Sequence, residues 1–151
     1  MLRRWLIMPL TDVSGINKRL DAVECLNGDE DLRTGFQALF KSTGDLERLA
    51  SKASTGRINP RELGQLRQGL EAVQSVAALS AGEAPLLPYL ERLTPCDQLL
   101  ERLRSELVKE PPVNPAKGQV IEQGVSAELD ELRTLKSNAQ AALDAICARE
   151  T

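Results

Sequence analysis

Leucine, alanine and valine recur along this chain at steps of three and four, separated by charged and polar residues, which is the period of amphipathic helices. Leu2, Trp5, Leu6 and Met8 predict a short opening helix whose bulky side chains are buried, ended by Pro9. Thr11 or Asp12 caps the next helix, which carries Ile16, Leu20, Val23 and Leu26 on its inward face and stops at Asn27 and Gly28. Residues 29–41 form another, with Leu32, Phe36, Leu39 and Phe40 inward. A helix over 45–55 turns Leu46, Leu49, Ala50 and Ala53 inward and closes at Gly56.

The best-punctuated element follows. Asn59 is its cap, Pro60 takes the first helical position, Glu62 lies near the positive end, and Leu63, Leu66, Leu70, Val73 and Ala77 make the stripe. Gly64 and Gly69 each cost that helix up to about 1 kcal/mol relative to alanine, so they predict close approach of a neighbouring helix. Pro85 and Pro88 then permit only short turns around Leu86, Leu87, Leu90 and Leu93, and Asp97 caps a helix bearing Leu99, Leu100, Leu103 and Leu107. Pro111, Pro112 and Pro115 make residues 108–124 a long connection with one extended segment at Gln119, Val120 and Ile121.

The last helix starts clearly. Gly124 breaks what precedes it, Ser126 caps it, and Glu128, Asp130 and Glu131 complement its dipole. Its stripe runs Leu129, Leu132, Leu135, Ala139, Leu143 and Ile146, and no stop signal closes the pattern before Thr151. The fold expected is all-α: one domain over residues 1–151, an irregular multi-helix bundle with a long C-terminal helix and at most one short extended segment.

Composition agrees with that class. Hydrophobic residues are 42% and charged residues 27% of 151, but aromatics only 3%, so the core is built from leucine, alanine and valine. Acids outnumber bases 22 to 19, which argues against an autonomous nucleic-acid binder. Cys25, Cys96 and Cys147 are odd in number and widely spaced, fitting reduced, buried thiols in a cytoplasmic protein rather than disulfides or a zinc site. Trp5 to Leu10 is too short to span a membrane and lacks the longer apolar region and cleavage site of a signal peptide.

No catalytic, cofactor-binding or metal-binding residue is identified. Histidine is absent, which removes the commonest general base and ligand and leaves the cysteines without a base. No glycine-rich loop precedes Lys41 and Ser42 or Lys136 and Ser137, and Asp29, Glu30 and Asp31 sit at a helix start where the dipole accounts for them. Arg3, Arg4, Arg57, Arg61 and Arg67 are read as surface salt-bridge residues, with contact to a DNA backbone or an acidic partner as the alternative. From residue chemistry alone the chain is a helical scaffold or an independent adaptor that binds a partner helix.

Three separated stretches carry a resemblance. The first is Leu2, Arg3, Arg4, Trp5 and Leu6 with Pro9, Leu10, Ile16, Arg19, Leu20, Asp21, Ala22 and Val23. Asp45, Leu46, Glu47, Arg48 and Leu49 with Gly56, Arg57, Pro60, Arg61, Glu62, Leu63, Leu66 and Arg67 make the second. The third is Glu110, Pro111, Pro112, Val120, Ile121, Gly124 and then Glu128, Leu129, Asp130, Glu131, Leu132 and Arg133. Together, in this order and over nearly the whole chain, they resemble the bacterial MutS mismatch-repair ATPases, specifically their core or lever domain, domain III. The chain departs from the family at Gln119, where a second glycine is common, and at Val125, where an aromatic is common.

The resemblance implies a lever that couples an ATPase region to a DNA-embracing clamp and has no chemistry of its own. It also implies a fragment, since the last helix would continue toward the clamp and a second arm would return. ATP, magnesium, mismatched double-stranded DNA and dimer formation would then belong to the longer parent. For this chain the expectation is no ATP hydrolysis, weak or no DNA binding, self-association through the exposed last helix, and no membrane partner.

Overall fold

The computed structural model describes residues 2–80, 82–93 and 96–150, with the side chains of Leu2, Arg4, Lys117 and residues 140–150 outside the description. Its helices are α1 (Leu2–Ile7), α2 (Val13–Gly28), α3 (Glu30–Thr43), α4 (Leu46–Ser54), α5 (Pro60–Leu79), α6 (Leu87–Leu90), α7 (Asp97–Glu106) and α8 (Ala127–Glu150). Short 3-10 turns occur at Ala84–Leu86 and Pro115–Lys117. Among the described residues there is no strand; the extended segment is reduced to a single antiparallel bridge between Leu107 and Ile121. The all-α expectation holds.

The bundle is centred on α5. Its start is a capping box: Asn59 Oδ1 accepts from the Glu62 backbone N–H at 2.9 Å, and Glu62 Oε2 accepts from the Asn59 N–H at 3.2 Å. The α3 helix lies antiparallel along it. At one end Gly35 faces Leu79, and at the other Gly69 faces the α3–α4 turn, where an added Cβ would come within 2.6 Å of the Thr43 backbone oxygen. Gly69 therefore marks close approach, as its sequence position predicts. Gly64 does so too, but against the Pro111 ring of the long connection rather than a helix.

Ala22, Leu32, Phe36, Val76 and Leu86 form the core, with Cys25, Leu26, Leu39 and Leu90 packed against it. On the other side of α5, α4 contributes Leu49 and α7 contributes Leu100, which are 2% and 1% exposed. Polar contacts edge the α5–α7 seam, with Arg104 Nε on Glu71 at 3.0 Å and Gln74 Nε2 on Asp97 at 2.6 Å.

Several predicted faces differ. Ile16, Leu20 and Val23 point outward, and α2 turns Gly15, Arg19, Ala22, Cys25 and Leu26 inward. Trp5, Leu6 and Met8 are exposed, with the Arg19 guanidinium 4.3 Å over the Trp5 ring. Phe40 is exposed too, its ring 5.6 Å from that of Phe36, and so are Ala50, Ala53 and Leu99. The physical reason is common to these sites: periodicity reports which residues share a face, but burial needs a second element packed over that face, and contacts such as Arg19 on Trp5 leave these side chains largely open to solvent. Asp97 is the first helical residue, not the cap of α7; it spends its carboxylate on Gln74. Cys96 is exposed rather than buried, Cys25 is half-buried, and the Cys147 side chain lies outside the described residues.

Glu62 also binds α4, through Lys52 and Arg48. The Lys52 ammonium first, then the Asn59 N–H, hold its carboxyl below the usual glutamate range. A depressed folded pKa stabilises above the unfolded value of about 4.3, and that stabilisation is lost as pH falls through the folded value. The stability difference between the native chain and Glu62→Gln is thus expected to be full at neutral pH and to shrink on acidification below about pH 4.3. Urea midpoints across that range check it; a difference that is constant with pH contradicts it.

Candidate functional site at the base of the last helix

The region that stands apart chemically lies where α8 leaves the bundle. Arg67, on the buried face of α5, is 8% exposed. Its Nη1 donates to the carbonyls of Leu107 at 3.0 Å, Val108 at 3.3 Å and Leu103 at 3.4 Å, and its Nη2 to that of Lys109 at 2.6 Å. All these acceptors are backbone oxygens at and just beyond the end of α7. The guanidinium therefore does two jobs, filling the orphan carbonyls of a helix C-terminus and placing positive charge at the negative end of its dipole. A planar fork with five donors suits this, and an ammonium does not.

The chain that Arg67 grips goes on to form the bridge. Val108 N–H donates to Val120 O at 3.0 Å and Glu122 N–H to Glu106 O at 2.8 Å, pairing Leu107 with Ile121. On the far side Arg133 of α8 takes over. Its Nη2 donates to Ile121 O at 2.8 Å and its Nη1 to Asp130 Oδ1 at 3.0 Å, while Asp130 Oδ2 accepts from Gly124 N–H at 2.7 Å. Ser126 Oγ accepts from Leu129 N–H at 3.3 Å, confirming the predicted cap.

Beyond this clasp α8 departs. Leu129, Asp130 and Arg133 are half-buried, but every side chain over 134–139 is exposed, and Leu132 and Leu135 are 57% and 65% exposed. Among the described residues, α8 is absent from the closely packed helix pairs, which join α3, α4 and α7 to α5 and α2 to α3. Leu143 and Ile146, the rest of the predicted stripe, fall outside the described side chains.

A family described as MutS domain III matches residues 1–150. The chain belongs to the MutS family. The DNA mismatch repair protein MutS of Phocaeicola vulgatus is 40% identical over 137 residues, covering 89% of this chain and 16% of that protein. That of Bacteroides thetaiotaomicron is 37% identical over 153 residues, covering 100% and 18%, and that of Salinibacter ruber 40% over 136 residues, covering 89% and 15%. This chain thus spans less than a fifth of the length of these MutS relatives. The third MutS-like stretch coincides with the clasp: Glu110 and Pro111 follow the carbonyls held by Arg67, Ile121 is the bridge, and Gly124, Asp130 and Arg133 close it.

Of the arginines singled out in the sequence, Arg67 is neither a surface ion-pair residue nor accessible to DNA, because it is buried on carbonyls. Arg3, Arg57 and Arg61 are exposed, and the Arg4 side chain lies outside the described residues. Ion pairs among the described residues involve Arg33, Arg48, Arg102, Arg104 and Arg133 instead. Lys41, Lys136 and Ser137 are exposed, and Asp29 caps α3 through the Leu32 N–H at 2.8 Å. No group of acids and cysteines among the described residues is placed to hold a metal ion, and no described helix is long and apolar enough to cross a membrane.

A second region is an apolar cleft of about 510 Å³ between α2, α3, α5 and α6, lined by Trp5, Val23, Phe36, Phe40, Val76 and Leu90 among others. Burial first, then hydrogen bonding to Glu83, push the nearby Cys25 thiol up, which keeps it protonated and unreactive.

Proposed function

We propose that this chain is a stiff transmission segment of a MutS-type DNA mismatch-repair ATPase, carrying movement between an ATPase region and a DNA-embracing clamp, with no chemistry of its own. In this reading ATP, magnesium, mismatched double-stranded DNA and the dimer contacts belong to other parts of a longer cytoplasmic protein. The observation that carries it is the form of α8: tied at its base by Arg133 to the Ile121 side of the bridge, whose Leu107 side Arg67 holds to α5, then exposed over 134–139. A helix held in this way moves as a body with its anchor, so a displacement at one end reappears at the other. Exposed Leu132 and Leu135 also favour self-association of the chain through α8.

The independent adaptor has one observation in its favour, the apolar cleft beside α2. MutS membership weighs against independence, because in the relatives this region is a small part of a much longer protein.

A chimera tests the proposal: the Phocaeicola vulgatus MutS with its matched region replaced by this chain, in cells lacking their own MutS. The mutation rate is expected to fall toward that of cells carrying the unaltered relative. A chimera that hydrolyses ATP and binds mismatched DNA normally, yet leaves mutation at the deficient level, contradicts it.

A further inference from the structure

We infer that the clasp formed by Arg67, the Leu107–Ile121 bridge and Arg133 is the direction-setting anchor of α8, so that these two arginines are the positioning residues for whatever α8 carries. The inference rests on the transmission reading for its purpose, but its geometry stands without it.

Three observations lead there. Along α8, half-burial among the described side chains ends at Arg133, and every side chain over 134–139 is exposed. The two chain segments meeting at that base are joined by only one bridge and its two flanking hydrogen bonds, far too little pairing to be rigid alone. Both sides of this bridge are nevertheless pinned by arginine, from α5 on the Leu107 side and from α8 on the Ile121 side.

The two arginines are not equivalent. Arg67 is buried and holds the end of α7 against α5, where Leu100 and the Arg104–Glu71 pair continue the attachment along the seam. Arg133 is partly exposed, and with Asp130 it folds the connection back on the first turns of α8, because Asp130 holds both Arg133 and the Gly124 N–H. Rigidity therefore runs from α5 through α7 and the bridge to α8 as an unbroken series of hydrogen bonds to backbone oxygens. Removing Arg133 breaks the series at its last link and leaves the bundle untouched; removing Arg67 breaks it at the first.

The test uses this chain without ATP or DNA, so its outcome is separate from that of the coupling experiments. Cys25, Cys96 and Cys147 are replaced by serine, and spin labels are placed at Ser75→Cys on α5 and Ser137→Cys on α8, both exposed positions. The parent is expected to give one narrow distance distribution. Arg133→Ala is expected to lose it to a broad one with far-ultraviolet circular dichroism and thermal midpoint unchanged, a combination that a merely stabilising residue does not produce. Arg102→Ala, which removes an exposed ion pair on the same end of α7, is expected to leave it narrow. Arg67→Lys keeps the buried charge but not the fork and is expected to broaden it; this variant stands in for Arg67→Ala should the latter fail to fold. Narrow distributions in both Arg133→Ala and Arg67→Lys overturn the inference.

Discussion

Replacing Leu100 with alanine lowers the unfolding free energy by about 2–5 kcal/mol, the range for deleting a fully buried leucine and leaving part of its cavity unfilled. Leu100 is 1% exposed, and it is the buried residue of α7. The remaining contacts of α7 with α5 include the Arg104–Glu71 pair, whose side chains are 40% and 39% exposed, and an exposed pair of this kind contributes roughly 0.2–1 kcal/mol. The apolar contact therefore dominates the seam. Its neighbour Leu99 is 43% exposed, so Leu99→Ala is expected to stay within about 0.5 kcal/mol of the native chain. Urea unfolding of the two variants measures the contrast; equal losses contradict the orientation of α7. Since a domain of this kind is stable by only about 5–15 kcal/mol, Leu100→Ala threatens the whole bundle.

Gly69→Ala is the second large effect, and here adding one carbon destabilises. The new Cβ would lie 2.5 Å from Leu46 Cδ2 and 2.6 Å from the Thr43 backbone oxygen. The leucine terminus can swing aside, but the carbonyl cannot without shifting the α3–α4 turn. Overpacking of this kind costs about 1–3 kcal/mol, which exceeds the gain of up to about 1 kcal/mol from replacing a helical glycine. Gly28 is the control. Nothing lies within 4 Å of a Cβ there, so Gly28→Ala is expected to stabilise by about 0.4–1 kcal/mol. Opposite signs in thermal midpoint bear this out; a stabilised Gly69→Ala would remove the close α3–α5 packing from the account.

What the sequence revealed and what it hid divide along a physical line. Local hydrogen bonding is written locally, so the caps at Asp12, Asn59 and Ser126 are legible, as are the proline-limited turns around Leu86 and Leu90. The close approach at Gly69 is legible too, because glycine inside a well-capped helix has a cost that packing must offset. The outward faces of α2 and of Phe40 were hidden, since nothing in a three-four stripe says whether a partner stands opposite.

Arg67 was missed for a different reason. Its acceptors lie 36 to 42 positions away, and charge by itself reads as surface. One signal was present: Arg67 falls four residues after Leu63 and three before Leu70, inside the apolar stripe rather than opposite it. A charged residue on a buried face has to be matched by acceptors, and the Arg67 acceptors are carbonyls of the α7 end, a partner that no charge pattern displays. The predicted extended segment at Gln119, Val120 and Ile121 was legible in kind but not in role, because the bridge matters through Arg67 and Arg133 rather than through its own length.

The most direct measurement concerns stiffness itself. In the chimera, three glycines inserted between the exposed Ser137 and Asn138 soften α8 beyond its anchor while leaving the clasp in place, since glycine is the weakest helix former after proline. Release of mismatched DNA on adding ATP is then timed by stopped flow. ATP hydrolysis and mismatch binding are expected to persist while ATP no longer speeds release. ATP-accelerated release at the rate of the uninterrupted chimera would contradict transmission through α8.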